Sequence, residues 1–249
     1  QALKTQSPRF VMVEATGLLF GKTNRSVKVN LTYRPYGFDR LSATMTETAG
    51  SERAGLLFPM YAYHDRWDEL TAEDLRKGVF GYDTDPMAGY TFLDEITVID
   101  GFSPRDLPDE PDTYLENLSF VEKIRDLCAE KGVRLYFFLS PYASRPEDGD
   151  RAKIMKDVTD RDIMFKDFNG SFDSFGFDLK TDFYDPAHLN YRGAVKFTEY
   201  LADRLKANIT PSGKADAALW KKRVSRFSEL RAAADAAPPR YKQTTDNNG

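Results

Sequence analysis

Residues 111–142 constrain the fold of this 249-residue chain more than any other stretch. Pro111, Asp112 and Thr113 supply a helix start, because proline is tolerated and acidic side chains are favoured in a first turn. Leu115, Leu118, Val121, Ile124 and Leu127 or Cys128 then recur at spacings of three and four, one apolar face of a helix. Gly132 is the stop signal. Val133 to Leu139 is a nearly continuous apolar and aromatic run, closed by Ser140-Pro141, as expected of a buried parallel strand. Helix, glycine, apolar strand is half of a β-α-β unit. Phe10-Val11-Met12-Val13, after Pro8, has the same character and is broken by Glu14-Ala15-Thr16-Gly17. Ligands of open α/β sheets lie just beyond the carboxyl ends of the strands, so this strand end is a candidate site wall. The pattern predicts an α/β fold, three-layered and mostly parallel.

Between these strands, residues 21–110 read as a long insertion or cap over the sheet. Ser51 can cap a helix through Leu57, and Thr71 with Asp74 resembles a capped start. Gly78 to Gly89 is loop-rich, and Thr91–Gly101 suits a short strand or hairpin arm. Residues 142–170 read as a loop plus a short helix, and Phe175–Asp178 as short strand material. Asn190 can cap a helix over 191–207, with Ala194, Phe197, Leu201 and Leu205 as its buried stripe. A last helix falls within a 210–237 extension, its Lys and Arg residues forming a solvated face. Residues 238–249 are expected to be disordered. The main domain therefore spans 1–209, with 21–110 as its insertion.

Composition excludes several classes. A net charge of -4 offers no electrostatic footprint for nucleic acid, and no polybasic run would hold the chain to anionic lipid. One cysteine, Cys128, permits neither an internal disulfide nor a thiolate metal site. No run approaches the roughly 18 apolar residues of a transmembrane helix. The chain opens with neither a methionine nor a basic-then-apolar leader, and Gln1 falls just ahead of a strand. The expectation is that it is the middle of a longer protein.

There are two histidines, His64 and His188. His188 sits in Asp-Pro-Ala-His-Leu-Asn, with Asp185 three residues upstream. In a compact turn, that carboxylate can accept from the imidazole Nδ1–H and leave Nε2 to take a proton from a hydroxyl nucleophile. Pro186 restricts the turn. Asp182 and Asp185 with His188 are a weak metal set, without a second histidine or a zinc-type spacing, and no metal is expected. His64 lies in YAYHDRW. Its aromatics are read first as packing the insertion onto the sheet, and second as a carbohydrate contact made by His64 and Trp67.

The block FDLKTDFYDPAHLNYRGAVKFTEYLADRL resembles the final block of SGNH/GDSL-family esterases and acyl-transfer proteins. It is most similar to the branch found beside membrane-bound O-acyltransferases in bacterial envelope-polymer modification, such as alginate acetylation and teichoic acid D-alanyl transfer proteins. YAYHDRWDELTAEDL also resembles a feature of that branch. The likeness covers roughly residues 8–208. It implies a flavodoxin-like SGNH sheet, Asp185 and His188 as the catalytic pair, and no cofactor. It also implies a carbohydrate polymer or acylated glycan as substrate and a membrane-bound O-acyltransferase as partner. The implied location is the extracytoplasmic cell envelope, with a membrane anchor ahead of Gln1.

The sequence departs from the family at two places. No Gly-Asp-Ser-like block is present. Ser26, Ser140 and Ser171 each lack the setting of a preceding apolar strand and a following helix. Truncation is the expectation, with the first strands and the serine lying before Gln1, so that this chain alone is incomplete as a catalyst. Glu14-Ala15-Thr16-Gly17 stands where the family has Gly-x-Asn-Asp, leaving a backbone N–H near Thr16 or Gly17 as a part of an oxyanion hole or substrate wall. The expected function is a serine esterase or O-acyltransferase acting on acyl esters of an envelope polysaccharide. The alternative is a non-catalytic carbohydrate-binding or assembly module that partners a membrane O-acyltransferase.

Overall fold

A computed structural model describes residues 6–19, 37–48, 50–57, 89–105, 111–206 and 216–242, with single residues between them. The chain is α/β. It divides into two compact units, residues 1–7 with 20–85, and residues 8–19 with 86–249.

The second unit begins with strand β1 (Phe10–Glu14) and a 3-10 turn over Thr16–Leu19. The first unit contributes helices α1 (Phe38–Glu47) and α2 (Gly50–Leu57). There Arg40 donates to the Leu56 carbonyl at 3.2 Å and Arg53 Nε to that of Thr48 at 3.1 Å. Cationic side chains thus satisfy carbonyls near helix C-termini, where backbone acceptors lack intrahelical partners.

The second unit continues with β2 (Ser103–Pro104), α3 (Pro111–Glu130), β3 (Arg134–Leu139), β4 (Ser144–Arg145), α4 (Asp148–Thr159) and β5 (Met164–Asp167). The short helix α5 (Phe172–Phe175) follows, then β6 (Phe183–Asp185), β7 (His188–Leu189), α6 (Tyr191–Leu205) and α7 (Ala217–Ala236). The sheet is parallel, in the order β1-β3-β5. β3 is central because it is the most apolar strand: Leu135, Phe137 and Leu139 are buried. The register aligns Glu14 with Phe138 and Leu139 with Asp167, so all three strands end at one edge of the sheet. Among the described residues β1 pairs only with β3, and its five side chains are all half-buried.

Several expectations change. The buried face of α3 carries Tyr114, Leu118, Val121 and Cys128, while Leu115 and Leu127 are exposed. Tyr114 turns inward because its hydroxyl donates to Asp157 on α4 at 2.7 Å. The stretch 142–170 holds a three-turn helix and a third parallel strand, β5, rather than a loop with a short helix. Phe175–Asp178 is not a strand; Phe175 closes α5 and is buried against Phe168, Phe197 and Tyr200.

Residues 91–105 belong with the sheet unit rather than with an insertion. Thr97 N–H donates to Phe183 O at 2.9 Å, Ile99 N–H to Leu179 O at 3.1 Å, and Tyr191 N–H to Leu93 O at 2.8 Å. Ile96 bridges to Tyr241, and Arg240 pairs with Asp94 and Glu95. The tail is therefore held as far as Lys242, which differs from the disorder expected from Pro238. Residues 243–249 lie outside the described residues.

The facing of α3 is directly testable. Leu118→Ala empties a buried site and is expected to cost about 2–5 kcal/mol in urea unfolding. Leu115→Ala, on the exposed side, should stay within about 0.5 kcal/mol.

Candidate active site

The Asp-Pro-Ala-His motif is the turn of a hairpin. β6 and β7 are antiparallel, with Phe183 opposite Leu189 and Asp185 opposite His188. A separation of three residues across such a turn makes the two side chains cross-strand neighbours on one face. Both carboxylate oxygens of Asp185 lie 2.9 Å from His188 Nδ1. An ionised carboxylate only accepts, so Nδ1 carries the hydrogen and Nε2 bears the lone pair. Asp185 Oδ1 also accepts from Ala187 N–H at 2.8 Å, which stiffens the turn. The imidazole side chain is 65% exposed and Asp185 31%. Nε2 makes no hydrogen bond among the described residues.

Two layers hold this turn. The Pro186 carbonyl accepts from Ala143 N–H at 3.0 Å and Ser144 N–H at 2.8 Å, which ties the turn to the loop after β3. Beneath it, Phe183 is fully buried with Ile99 and Ala143. The buried Asn190 caps α6, its Oδ1 accepting from Arg192 N–H at 3.0 Å and Gly193 N–H at 3.3 Å. Its Nδ2 donates to the Thr181 carbonyl at 2.7 Å. Asp182 is buried, accepting from Asp178 N–H at 2.8 Å and from Lys196 Nζ at 2.7 Å. Its carboxylate is thus committed to the hairpin base. Among the described residues no three His, Cys, Asp or Glu side chains form a cluster able to hold a metal.

A second polar knot lies at the carboxyl ends of the three parallel strands. Glu14 Oε1 accepts from Thr16 Oγ1 at 2.6 Å, Tyr142 Oη at 3.0 Å and Ser140 N–H at 3.3 Å. Its Oε2 accepts from Thr16 N–H at 2.9 Å. Asn169, past the end of β5, is buried, accepts from Tyr142 N–H at 3.0 Å and donates to Ser140 O at 2.9 Å. Burial, and then the Glu14 charge, push the Tyr142 phenol up to about 12. The segment 140–144 therefore joins this knot on one side to the Asp185–His188 turn on the other.

Asp185 and His188 are brought together. Thr16 is buried with its N–H turned to Glu14, and Gly17 is exposed beside it. His64, Trp67 and Ser26 lie outside the described residues. The Ser140 N–H donates to Glu14 and the Ser171 N–H to Phe168 O. Tyr142 and Asn169 were not singled out from sequence, and Glu14 entered only as the first residue of the break at the end of the first strand. Their one signal is position, since Glu14 ends β1 and Tyr142 and Asn169 are polar residues just past β3 and β5.

Gly193 explains the glycine three residues after Asn190. A Cβ there would lie 2.4 Å from the Asp182 carbonyl oxygen and 2.9 Å from Leu189 Cδ2. Gly193→Ala should therefore cost about 1–3 kcal/mol in urea unfolding, despite alanine's better helix propensity. A second expectation concerns alkaline pH. The Tyr142 phenol loses its proton near 10 when unfolded and near 12 when folded, so stability drawn from the neutral phenol is full below pH 10 and falls between 10 and 12. Tyr142→Phe should flatten the fall in urea midpoint across that window.

No family model, no curated protein and no solved structure matches the chain.

Proposed function

We propose that this chain contributes the histidine and aspartate of a Ser-His-Asp acyl-transfer site, on an SGNH-type, three-layer, flavodoxin-like domain. The observation that carries the reading is the bifurcated contact of Asp185 with His188 Nδ1, at 2.9 Å from each oxygen, with Nε2 left open to solvent. This is the geometry a general base needs. The carboxylate fixes the tautomer and stabilises the imidazolium, while Nε2 takes the hydroxyl proton and later returns it to the leaving group. The resemblance of the surrounding motif and the position of the pair before α6 support the same reading.

The serine is proposed to come from outside these residues, on strands that would add beside β1. The half-buried side chains of β1, paired among the described residues only with β3, support such an addition. The proposed substrate is an acyl ester on a cell-envelope polysaccharide. The chemistry is serine-ester hydrolysis or transfer, which requires no cofactor. The envelope location and a membrane-bound O-acyltransferase partner belong to the same proposal and rest on the resemblance.

A second reading, a carbohydrate-binding or assembly module, is favoured by one feature: His188 meets no serine hydroxyl among the described residues. A fluorophosphonate probe separates the two when applied to the natural polypeptide that carries these residues. Serine labelling is expected, with kcat on an acetylated glycan falling at least about 10³-fold in His188→Ala and about 10⁴-fold in Asp185→Asn. Labelling and turnover unchanged in His188→Ala overturn the catalytic reading, and an unlabelled protein that still binds the glycan establishes the module.

A further inference from the structure

Helices α6 and α7 and the segment around Tyr90 line an open groove of about 510 Å³, within the usual size range of small-molecule sites. Its walls include Tyr90, Val195, Trp220, Arg223, Val224 and Phe227. The floor is stiff. Phe227 packs edge-on against Tyr90 and Phe92 at 5.9 Å each, and Phe92 stacks on Tyr191 at 5.0 Å. Tyr191 Oη in turn donates to Asp235 on α7 at 2.6 Å, which fixes the two helices together. Yet Trp220 remains 52% exposed and Val224 60% exposed, although both face a built apolar wall.

The polar groups on that wall set the ligand's chemistry. Arg223 lies over the Trp220 ring at 5.2 Å, and its Nε is shielded from water without a hydrogen-bond partner. No carboxylate pairs with it among the described residues. Arg231, also on the lining, is already engaged by Asp235 at 3.5 Å. Glu199 is the acidic side chain of the lining and is exposed, so its field is screened by water. Arg223 is half-buried, and a guanidinium without a carboxylate partner among the described residues gains more from an anion than an exposed carboxylate loses. The apolar surface is also narrow. Lys221, Lys222, Arg226 and Glu229 are all exposed on α7. Such charges are depleted at the centres of protein interfaces, which need roughly 800 Å² from each partner.

We propose that this groove binds a small amphiphilic carboxylate. The aliphatic chain would lie along Val195, Trp220, Val224 and Phe227, with the carboxylate on Arg223. The site is separate from the Asp185–His188 turn and does not depend on the function proposed for it.

Dodecanoate, titrated below its micelle concentration, tests the proposal on the whole 249-residue chain. Trp67 and Trp220 are the two tryptophans, so a Trp67→Phe background leaves Trp220 as the sole reporter. A saturable change in Trp220 emission is expected. Arg223→Gln should weaken binding by about tenfold or more, the loss of a charge-assisted contact. Arg226→Gln, outside the groove, should leave the titration unchanged. Val224→Trp should fill the groove and abolish binding, with circular dichroism and urea midpoint as controls for folding. A non-saturable response overturns the proposal. So does dodecanol binding as tightly as dodecanoate, or an Arg223→Gln titration that superimposes on the parent. A concentration-dependent dimer in sedimentation, lost in Val224→Arg, would assign the groove to a second copy of the chain and likewise overturn it.

Discussion

The side chain of Asn190 is fully buried and bonds only to backbone. It accepts from two N–H groups of the first turn of α6 and donates to the Thr181 carbonyl, with a longer contact to that of Glu95 at 3.4 Å. A buried amide left unsatisfied is costly, so these partners stand or fall as a set. The set joins the segment before β6, the chain near residue 95 and the start of α6. Asn190 N–H also donates to Asp182 O at 3.0 Å, the same oxygen that leaves no space for a side chain at position 193. The catalytic candidates hang from this knot, because Asp185 and His188 occupy the turn that it closes.

His188 is exposed and contributes little packing to the turn. Three contacts restrict it: Ala187 N–H on Asp185, and the two amides of Ala143 and Ser144 on the Pro186 carbonyl. A proton carrier, the role proposed for His188, works only if its tautomer and direction are set before substrate arrives. Here rigidity comes from backbone hydrogen bonds made by a loop of the central strand, not from burial of the imidazole. That leaves the ring accessible while its orientation is held.

Glu14 plays a comparable part at the opposite side of segment 140–144. Four donors converge on one carboxylate at the mouth of the sheet, and one of them is the half-buried Tyr142 phenol. The cluster binds the end of β1 to the loop after β3, and Asn169 extends it to the end of β5. The crevice where ligands of parallel sheets bind is thereby given fixed walls.

The strands β1 and β3, the long helices α3, α6 and α7, and the Asp185–His188 pair were legible from residues alone. Each rests on a local signal: a run of apolar residues, a three-to-four spacing, a helix cap, or a turn whose length makes its ends neighbours. β5 was not legible, because Met164-Phe165-Lys166-Asp167 is only four residues long and half of it is charged, and it becomes a strand by pairing with β3. Phe175-Gly176-Phe177-Asp178 misled for the converse reason, since its aromatic rings fill a core rather than mark a strand. The facing of α3 turned on one hydroxyl, Tyr114 to Asp157, 43 residues away in sequence. The sequence by itself determined which segments can be buried and which turn brings carboxylate to imidazole, because those depend on neighbours within a few residues. Only the tertiary structure decided that Glu14, Tyr142 and Asn169 share a knot, that 91–105 and 239–242 belong to the sheet unit, and that α6 and α7 leave a groove. Those contacts join residues far apart in the chain, and no periodicity within a segment encodes its partner.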